Sequence, residues 1–499
     1  MNHQPLTILR IVALFALLQV VLWAIGALPG SQANVWWWTA LSTLADRNGF
    51  FNVWTPYPPV FTIFHYVVTK LFVGDTEVLA RYFFEGDSSA DAVAAYQHSF
   101  VVMKRVWVVF NAVFIAAQGW LVYRLVQLLQ ESGIRDQDSE ERRDSEDSHT
   151  PTLPHSHTPT PVSPLLAAGA FVLFNLTWRS QIVIGLGCDQ FDYFPSFFYL
   201  LGLWLLVENK PRGAAVITAV GALIKIYPGL LVPLAWAKEG QPKRAVIYTI
   251  IVVVLCLAAA APFLFVNADI FMTTYQWSGT RPGWESVWIY PEKAFPPMPV
   301  PGTMVGLFDT RMPEVVVTTK DGRKILGRIV GSGNESLLFE YLNGEQAKIP
   351  RAVVADVINM RHVDAKYRIL MLVTIAVLLG LTWYFRRALQ TKEGFIRGAL
   401  LYVLVLIFFS KGISSYFILW FFPFFFILYR PLVACLMFSA FLLVGNAEFM
   451  GGGDLPLFWP SIFVRQAMIL AVMVEQGWRM TNVEIPNDER NLKSESGED

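Results

Sequence analysis

The sequence predicts an all-α polytopic membrane bundle of about 10–12 spanning or partly spanning helices, with one small inserted extracytoplasmic β-barrel-like module. Hydrophobic residues make up 54% of the 499 positions and charged residues only 16%, a more apolar balance than soluble domains have. Apolar runs that reach or approach the roughly 20 residues of a helical span lie near 8–29, 102–129, 164–180, 193–208, 244–265, 366–385, 394–411, 413–429, 431–447 and 459–476.

Two ambiguous segments decide the topology. Residues 54–73 begin with prolines that shorten the apolar helix, which predicts an interfacial or partly inserted helix. Residues 213–237 have basic flanks at both ends and carry Lys225-Ile-Tyr227-Pro228 at the centre. Two short helices turning at Tyr227-Pro228 return both flanks to the cytoplasmic side, as the positive-inside rule favours. The outer face then carries the loops 29–100, 179–192 and 267–366.

The chain divides into six predicted segments. Residues 131–164 are charged and then rich in His, Thr and Pro, which predicts a disordered cytoplasmic linker. Short β-rich runs separated by Asp-Gly, Gly-Ser-Gly-Asn and Asn-Gly predict the β module at 311–363, for which a structural or partner-docking role is favoured. The other segments are the first span, outer loop and second span at 1–130, a central membrane region at 165–310, a C-terminal membrane region at 364–480 and a polar tail at 481–499.

Charge and cysteine content exclude several function classes. Lys+Arg and Asp+Glu are both 39, so no bulk charge points to nucleic acid. The 3 cysteines form neither a disulfide framework nor a zinc spacing. No phosphate-cradling Gly loop, zinc-protease motif or hydrolase elbow is present. Carboxylates with open oxygen positions allow a divalent metal, although no ligand spacing demands one.

Two aspartates are candidates for acid–base chemistry. Asp46, in Leu-Ala-Asp-Arg-Asn-Gly, is placed to remove a proton from a hydroxyl at the membrane surface; the alternative is a surface carboxylate that pairs with Arg47 or caps a turn. Asp192 lies in a polar interruption between spans, where a charge is costly unless it is functional, paired or hydrated. Its alternative role is the N-cap of the following helix.

Several cations and polar clusters accompany these acids. Lys225 interrupts an apolar run, where it would seek a phosphate or carboxylate partner or else extend to the interface. Arg105 presents the same choice at the start of the second span. Residues 275–286 mix aromatic rings with Arg281 and Glu285, and the alternative is an ordinary aromatic belt. Residues 410–420 form another polar cluster, which a tight turn between helices also explains.

Together these stretches resemble the membrane glycosyltransferases of the GT-C type that use polyprenyl-phosphate sugars, especially their α-mannosyltransferase branch. The likeness covers most of the chain except the linker and the β module, and the Lys-x-Tyr-Pro stretch is its most specific part. The residues that carry it are Tyr57-Pro58-Pro59, Gln190-Phe191-Asp192, the run from Leu223 to Pro233 around Lys225-Ile-Tyr227-Pro228, the run from Ser414 to Pro423, and more loosely Arg281-Pro-Gly-Trp284-Glu285-Ser286.

The resemblance implies an inverting transfer of a hexose such as mannose from a polyprenyl-phosphate donor to a glycan or glycolipid acceptor, on the non-cytoplasmic face of the plasma or inner membrane. Membrane lipids and a protein docked on the β module are the other expected partners. The site residues follow by role: Asp46, Asp192 and Glu285 for catalysis; Lys225, Arg281 and Arg105 for the donor phosphate; Asp189, Gln190, Tyr57, Tyr227, Trp284 and Tyr416 for substrate.

The chain departs from the family pattern in the first outer loop. Asn34 and Asn52 stand where acids are expected, and an amide cannot act as a base. Asp46, Asp192 or Glu285 would then take that role. Two other hypotheses stay open, a transporter or flippase of lipid-linked sugars and a catalytically inactive, transferase-like assembly scaffold.

Overall fold

The structure is a computed structural model in which helices predominate. It describes residues 7–8, 10–11, 13–14, 33–52, 58–73, 76–82, 89–146, 163–186, 191–238, 242–280, 286–289, 315–320, 324–341, 346–359, 365–410, 412, 415–451 and 458–483. The helices are α1 (Ala33–Asn48), α2 (Pro59–Phe72), α3 (Glu77–Ala80), α4 (Ala90–Glu146), α5 (Pro164–Leu186), α6 (Tyr193–Val207), α7 (Pro211–Ala222), α8 (Leu231–Lys238), α9 (Pro242–Thr280), α10 (Ala365–Tyr384), α11 (Lys392–Phe408), α12 (Phe422–Leu428), α13 (Pro431–Gly451) and α14 (Phe458–Thr481).

The helical architecture that the sequence predicts is confirmed in part. Within the described ranges, two helical segments are long and apolar enough to cross a membrane, Ala90–Ser132 of α4 and Pro242–Ala268 of α9. Five further apolar helical segments have 10–17 residues, including all of α2 and α6. The first predicted span, near 8–29, falls mostly outside the described residues. The structure therefore supports a membrane protein and leaves the predicted number of spans untested.

Two predicted segments have a different local structure. The predicted span at 413–429 is broken into a 3-10 segment, Ser415–Trp420, and the short helix α12. Pro423 occupies the first turn of α12, where a missing backbone N–H is tolerated. A continuous helix that began before Pro423 would lose a backbone hydrogen bond at this residue. Helix α4 continues through Glu146, into the predicted disordered linker. Opposite charges four residues apart, such as Glu131 with Arg135, favour that extension.

The predicted break at Tyr227-Pro228 is present. Helix α7 ends at Ala222, a 3-10 turn covers Tyr227–Leu230, and α8 follows directly. The backbone N–H groups of Ile224 and Lys225 both donate to the carbonyl of Gly221, at 3.0 and 2.9 Å, which closes the end of α7. The break places Lys225 at the turn between two short helices.

Two hydrophobic clusters hold the helices together. The larger one joins α4, α5, α6, α11, α12 and α13 through buried residues such as Leu125, Phe171, Leu203, Leu401 and Phe425. The second lies between α1, α2, α3 and the first part of α4, and it also contains Phe191 and Ile224. Because those two residues directly precede Asp192 and Lys225, the second cluster packs α1 and α2 against the segments that carry this pair.

The β module is an open antiparallel sheet. Its strands are β1 (Val315–Thr319), β2 (Lys324–Ser332), β3 (Ser336–Tyr341), β4 (Gln346–Pro350) and β5 (Val354–Asn359), in the order β4-β3-β2-β1-β5. The prediction of a barrel-like module is wrong in that the sheet does not close into a barrel: β4 and β5 are its two edges. Strand β5 was not predicted, because the 3-10 turn before it, Arg351–Val353, contains no Gly or Asn.

The close approach at the end of α7 makes a testable prediction. A Cβ at Gly221 would lie 2.8 Å from Cβ of Pro228 and 2.9 Å from Cβ of Phe198. We expect Gly221→Ala to lower the free energy of unfolding by about 1–3 kcal/mol, because the turn has to move to accept the methyl group. Thermal unfolding of the purified protein in detergent measures the loss.

Gly169 of α5 supplies the matched control, since a Cβ there would meet nothing within 4 Å. Gly169→Ala should unfold at the wild-type temperature or slightly above it, because Ala is the better helix former. Equal unfolding temperatures for the Gly221 and Gly169 variants would contradict the close approach.

Candidate functional site

Asp192 lies at the start of α6 with its carboxylate turned into the protein. Its side chain has 0% exposure, and it makes no capping hydrogen bond to the helix that it precedes. Asp192 therefore occupies the N-cap position of α6, but its side chain does not make the capping hydrogen bond that the alternative role requires. A buried carboxylate must be compensated by other groups, because moving an unpaired charge out of water costs several kcal/mol.

Lys225 supplies the compensating charge. Its Nζ lies 2.6 Å from Oδ1 of Asp192, and 19% of the lysine side chain is exposed. Ammonium and carboxylate thus form a tight ion pair in which the aspartate is buried and the lysine is partly exposed. The two candidate residues that the sequence analysis assigned to catalysis and to phosphate binding are direct neighbours.

The second donor to Asp192 comes from the C-terminal half of the chain. Nε1 of Trp420 donates to the same oxygen, Oδ1, at 2.6 Å. The other oxygen, Oδ2, is buried and has no hydrogen-bond partner in the part of the chain that the structure describes. Both described donors therefore bind the same carboxylate oxygen, Oδ1.

Aromatic rings surround the ammonium group of Lys225. Its Nζ lies 5.0 Å from the ring centroid of Phe191, 4.7 Å from that of Phe417 and 4.9 Å from that of Trp420. Ring faces attract cations, more strongly where the cation is partly desolvated. The rings consequently stabilise the charged form of Lys225 without donating or accepting a proton.

The predicted substrate residue Tyr227 belongs to this cluster, but its ring is covered. It is buried and stacks on Trp420 with the ring centroids 4.1 Å apart and the planes at 11°. Phe417 stacks on Trp420 as well, with centroids 4.3 Å apart. In this conformation Tyr227 holds the indole of Trp420 in place and does not offer a free face to a sugar.

Hydrogen bonds between helices fix the elements that carry Asp192. The amide of Gln118 on α4 donates to the carbonyl of Tyr193 at 2.7 Å, and the hydroxyl of Tyr193 donates to the amide oxygen of Asn175 at 3.1 Å. Ser196 donates to the carbonyl of Leu419 at 3.2 Å, which ties the first turn of α6 to the segment of Trp420. Asp192 is thereby held between α4, α5 and the residues after α11.

Asp46 lies on α1 in a second polar cluster. Its carboxylate accepts hydrogen bonds from Tyr66 and Lys70, both at 2.8 Å, and from the hydroxyl of Thr76. Arg47, the partner in the alternative reading, pairs with Glu77 at 3.2 Å. All of these donors bind the ionised carboxylate, so they favour its charged form.

The same contacts decide the acidity of Asp46. Partial burial raises the pKa of this carboxyl, but the hydrogen bonds from Lys70, Thr76 and Tyr66 and the charge of Lys70 outweigh burial and lower the pKa below the ordinary 3.8. A carboxylate with a lowered pKa and occupied oxygens is a weaker base. These contacts therefore oppose a general-base role for Asp46.

The two polar clusters lie in neighbouring elements. The backbone N–H of Val60, on α2, donates to the carbonyl of Leu223 at 3.2 Å, and the ring of Phe61 packs on Phe191 with centroids 4.1 Å apart. Asp46 contacts α2 through Tyr66 and Lys70. Helix α2 therefore connects the segment of Asp46 to the segments of Asp192 and Lys225.

The remaining predicted site residues are not brought into this cluster by any described contact. Arg105 lies exposed on α4. Tyr416 lies in the 3-10 segment before Trp420, and its side chain is outside the described part. Six more predicted residues fall outside the described ranges, namely Tyr57, Asp189, Gln190, Arg281, Trp284 and Glu285. Their predicted roles stay predictions.

Next to the last of these, Ser286 is buried and donates from its hydroxyl to the carbonyl of Ser410 at 2.8 Å. This bond anchors the chain after residue 285 near the end of α11. Within the described ranges, no three His, Cys, Asp or Glu side chains group in a way that would hold a metal ion.

Trp420 and Phe417 were not predicted as site residues, although both lie in the run from Ser414 to Pro423 that carries the family resemblance. The available signal was that a lysine in an apolar segment needs a counter-charge and that an indole N–H needs an acceptor. Neither requirement identifies the partner residue from the sequence, because Trp420 and Asp192 are 228 residues apart in the chain.

Comparison with known proteins agrees with a sugar-transfer reaction. Residues 54–292 match the model of glycosyltransferase family 87. Asp192 and Lys225 lie inside the matched range, whereas Asp46 precedes it and Trp420 follows it. No curated protein sequence matches the chain. The family match supports glycosyltransferase activity, which requires a sugar donor and an acceptor.

The lowered pKa of Asp46 predicts a pH-dependent contribution to stability. The hydrogen bonds to the carboxylate stabilise the fold above the ordinary pKa of 3.8, and this contribution is lost as the pH falls through the lower pKa of the folded state. We expect Asp46→Asn to lower the free energy of unfolding by about 1–2 kcal/mol near pH 7, with the difference from wild type shrinking below about pH 4. Thermal unfolding in detergent between those pH values measures it.

Asp91→Asn, in the exposed first turn of α4, is the control for this pH series. Its difference from wild type should stay small throughout. A constant difference between Asp46→Asn and wild type down to the acid end would show that the ionised carboxylate does not contribute in this way.

Proposed function

We propose that the protein is a membrane glycosyltransferase of the GT-C type that transfers a hexose, such as mannose, from a polyprenyl-phosphate donor to a glycan or glycolipid acceptor on the non-cytoplasmic face. The single observation that carries the proposal is the Asp192–Lys225 pair, which lies within the range matching glycosyltransferase family 87. A carboxylate that can accept a proton and a cation that can neutralise a phosphate are the two groups that such a transfer needs.

The reaction proposed is an inverting displacement. The acceptor hydroxyl attacks the anomeric carbon, the bond from that carbon to the phosphate oxygen breaks, and the lipid phosphate leaves with the electron pair. The hydroxyl proton passes to Oδ2 of Asp192, the oxygen for which no donor is described. Lys225 neutralises the phosphate, whose negative charge grows as the bond breaks.

The other predicted residues keep subsidiary roles in the proposal. Arg281 and Arg105 assist with the phosphate, and Asp189, Gln190, Trp284 and Tyr416 bind the sugar. Tyr57 contacts the substrate at the start of α2, and Tyr227 contributes by holding Trp420. Asp46 and Glu285 are the alternative bases, and a divalent metal bound by carboxylates would assist the phosphate as a Lewis acid.

The central test of this function is Asp192→Asn. Because an amide cannot accept the proton, we expect the turnover number to fall by about 10²- to 10⁴-fold, while Asp46→Asn loses less than about tenfold. Transfer of labelled mannose from polyprenyl-phosphate mannose to membrane glycolipids by proteoliposomes measures both. Asp91→Asn, on the exposed end of α4, should transfer at the wild-type rate.

Three other outcomes would contradict this assignment. Full activity of Asp192→Asn together with inactive Asp46→Asn would give the role of base to Asp46. Translocation of the donor across the liposome membrane without any transfer would favour the flippase. Neither transfer nor translocation by the wild-type protein, tested with donors of several sugars, would favour the assembly scaffold, for which Asn34 and Asn52 in the first outer loop also argue.

Lys225→Met tests the phosphate contact separately. Removing the cation should raise the KM for the donor and also lower the turnover number, because the phosphate gains negative charge in the transition state. Steady-state kinetics against donor concentration separate the two effects. Lys70→Met, which removes the partner of Asp46, serves as the comparison and should leave the donor KM within about twofold, since Lys70 is assigned no phosphate contact.

A further inference from the structure

We propose that Trp420 is a positioning residue, whose indole N–H holds Oδ1 of Asp192 so that Oδ2 faces the reacting hydroxyl even after Lys225 has turned to a bound phosphate. The proposal rests on the glycosyltransferase function above and assigns a role to a residue outside the range that matches the family. The observation behind it is that Trp420 and Lys225 donate to the same carboxylate oxygen.

The two donors differ in their freedom to leave Asp192. Lys225 reaches the surface with part of its side chain and stands on a flexible four-carbon stem. A bound phosphate would offer the ammonium group a second anionic partner. Exchange of one anionic partner for another would keep Lys225 paired and would remove one hydrogen bond from Asp192.

Trp420 has no such freedom. Its ring is buried. It stacks on the rings of Tyr227 and Phe417, with centroid distances of 4.1 Å and 4.3 Å. The neighbouring carbonyl of Leu419 accepts the hydroxyl of Ser196. The indole N–H is thus locked in direction, and an indole does not lose its proton at any pH relevant to the enzyme.

The two oxygens of the Asp192 carboxylate therefore have different roles in the proposal. Oδ1 keeps a fixed neutral donor when the cation is drawn to the phosphate, so the carboxylate plane cannot rotate. Oδ2, without a described donor, stays available to accept a proton. A buried carboxylate left without any donor would instead be costly and would reorient toward another partner.

Trp420→Phe tests the role, because phenylalanine keeps an aromatic ring between Tyr227 and Phe417 and removes the N–H. We expect the turnover number for polyprenyl-phosphate mannose to fall roughly 10- to 100-fold, as for loss of a charge-assisted hydrogen bond, with the donor KM changed less than about threefold.

Trp236→Phe is the matched control, since that indole donates to the hydroxyl of Thr249 at 2.9 Å rather than to a carboxylate. It should leave the turnover number unchanged. A Trp420→Phe enzyme with the same turnover number as Trp236→Phe, or one whose loss lies only in KM, would overturn the positioning role.

A measurement of stability separates this inference from the proposed function. The losses in unfolding free energy caused by Asp192→Asn and Trp420→Phe should not add up in the double variant, because both changes remove the same charge-assisted bond. The losses caused by Asp192→Asn and Trp236→Phe should add up. Non-additivity in a protein that transfers no sugar would refute the function and keep the contact. Additivity at Trp420 would refute the positioning role whatever the activity.

Discussion

The ion pair between Asp192 and Lys225 is the constraint on which the rest of the site depends. A carboxylate with no exposure is tolerable only if its donors are held close, and here both lie at 2.6 Å. These donors come from a turn after α7 and from a 3-10 segment after α11, so the interaction requires three distant segments to meet. The interhelical hydrogen bonds of Gln118 and Ser196 serve that requirement.

The two aspartates of the site region illustrate how the surroundings set the chemistry of one functional group. Asp46 has donors on both oxygens and a lowered pKa, which suits a structural link between α1 and α2. Asp192 has both donors on Oδ1 and none described on Oδ2, which suits a group that still has to receive a proton. Their difference comes from neighbours that the chain brings in from elsewhere.

Local patterns predicted much of the fold. Apolar length predicted α6 and α9, because that signal lies within the element itself. Basic residues at both ends of 213–237 predicted the break at Tyr227-Pro228. Alternation and turn residues located β1 to β4, while β5 escaped since its preceding 3-10 turn carries no such residue. Closure of the sheet was predicted wrongly, because strand runs alone do not say whether the two edges meet.

By itself, the sequence determined that the chain is an apolar helical protein with costly polar residues at Asp192 and Lys225. Those residues interrupt apolar runs, which can be read directly from the linear sequence. Only the tertiary structure decided that they pair with each other and that Trp420, beyond the family match, completes their surroundings. The reason is physical: burial prescribes that a charge must have a partner, whereas the identity of that partner depends on how distant helices pack.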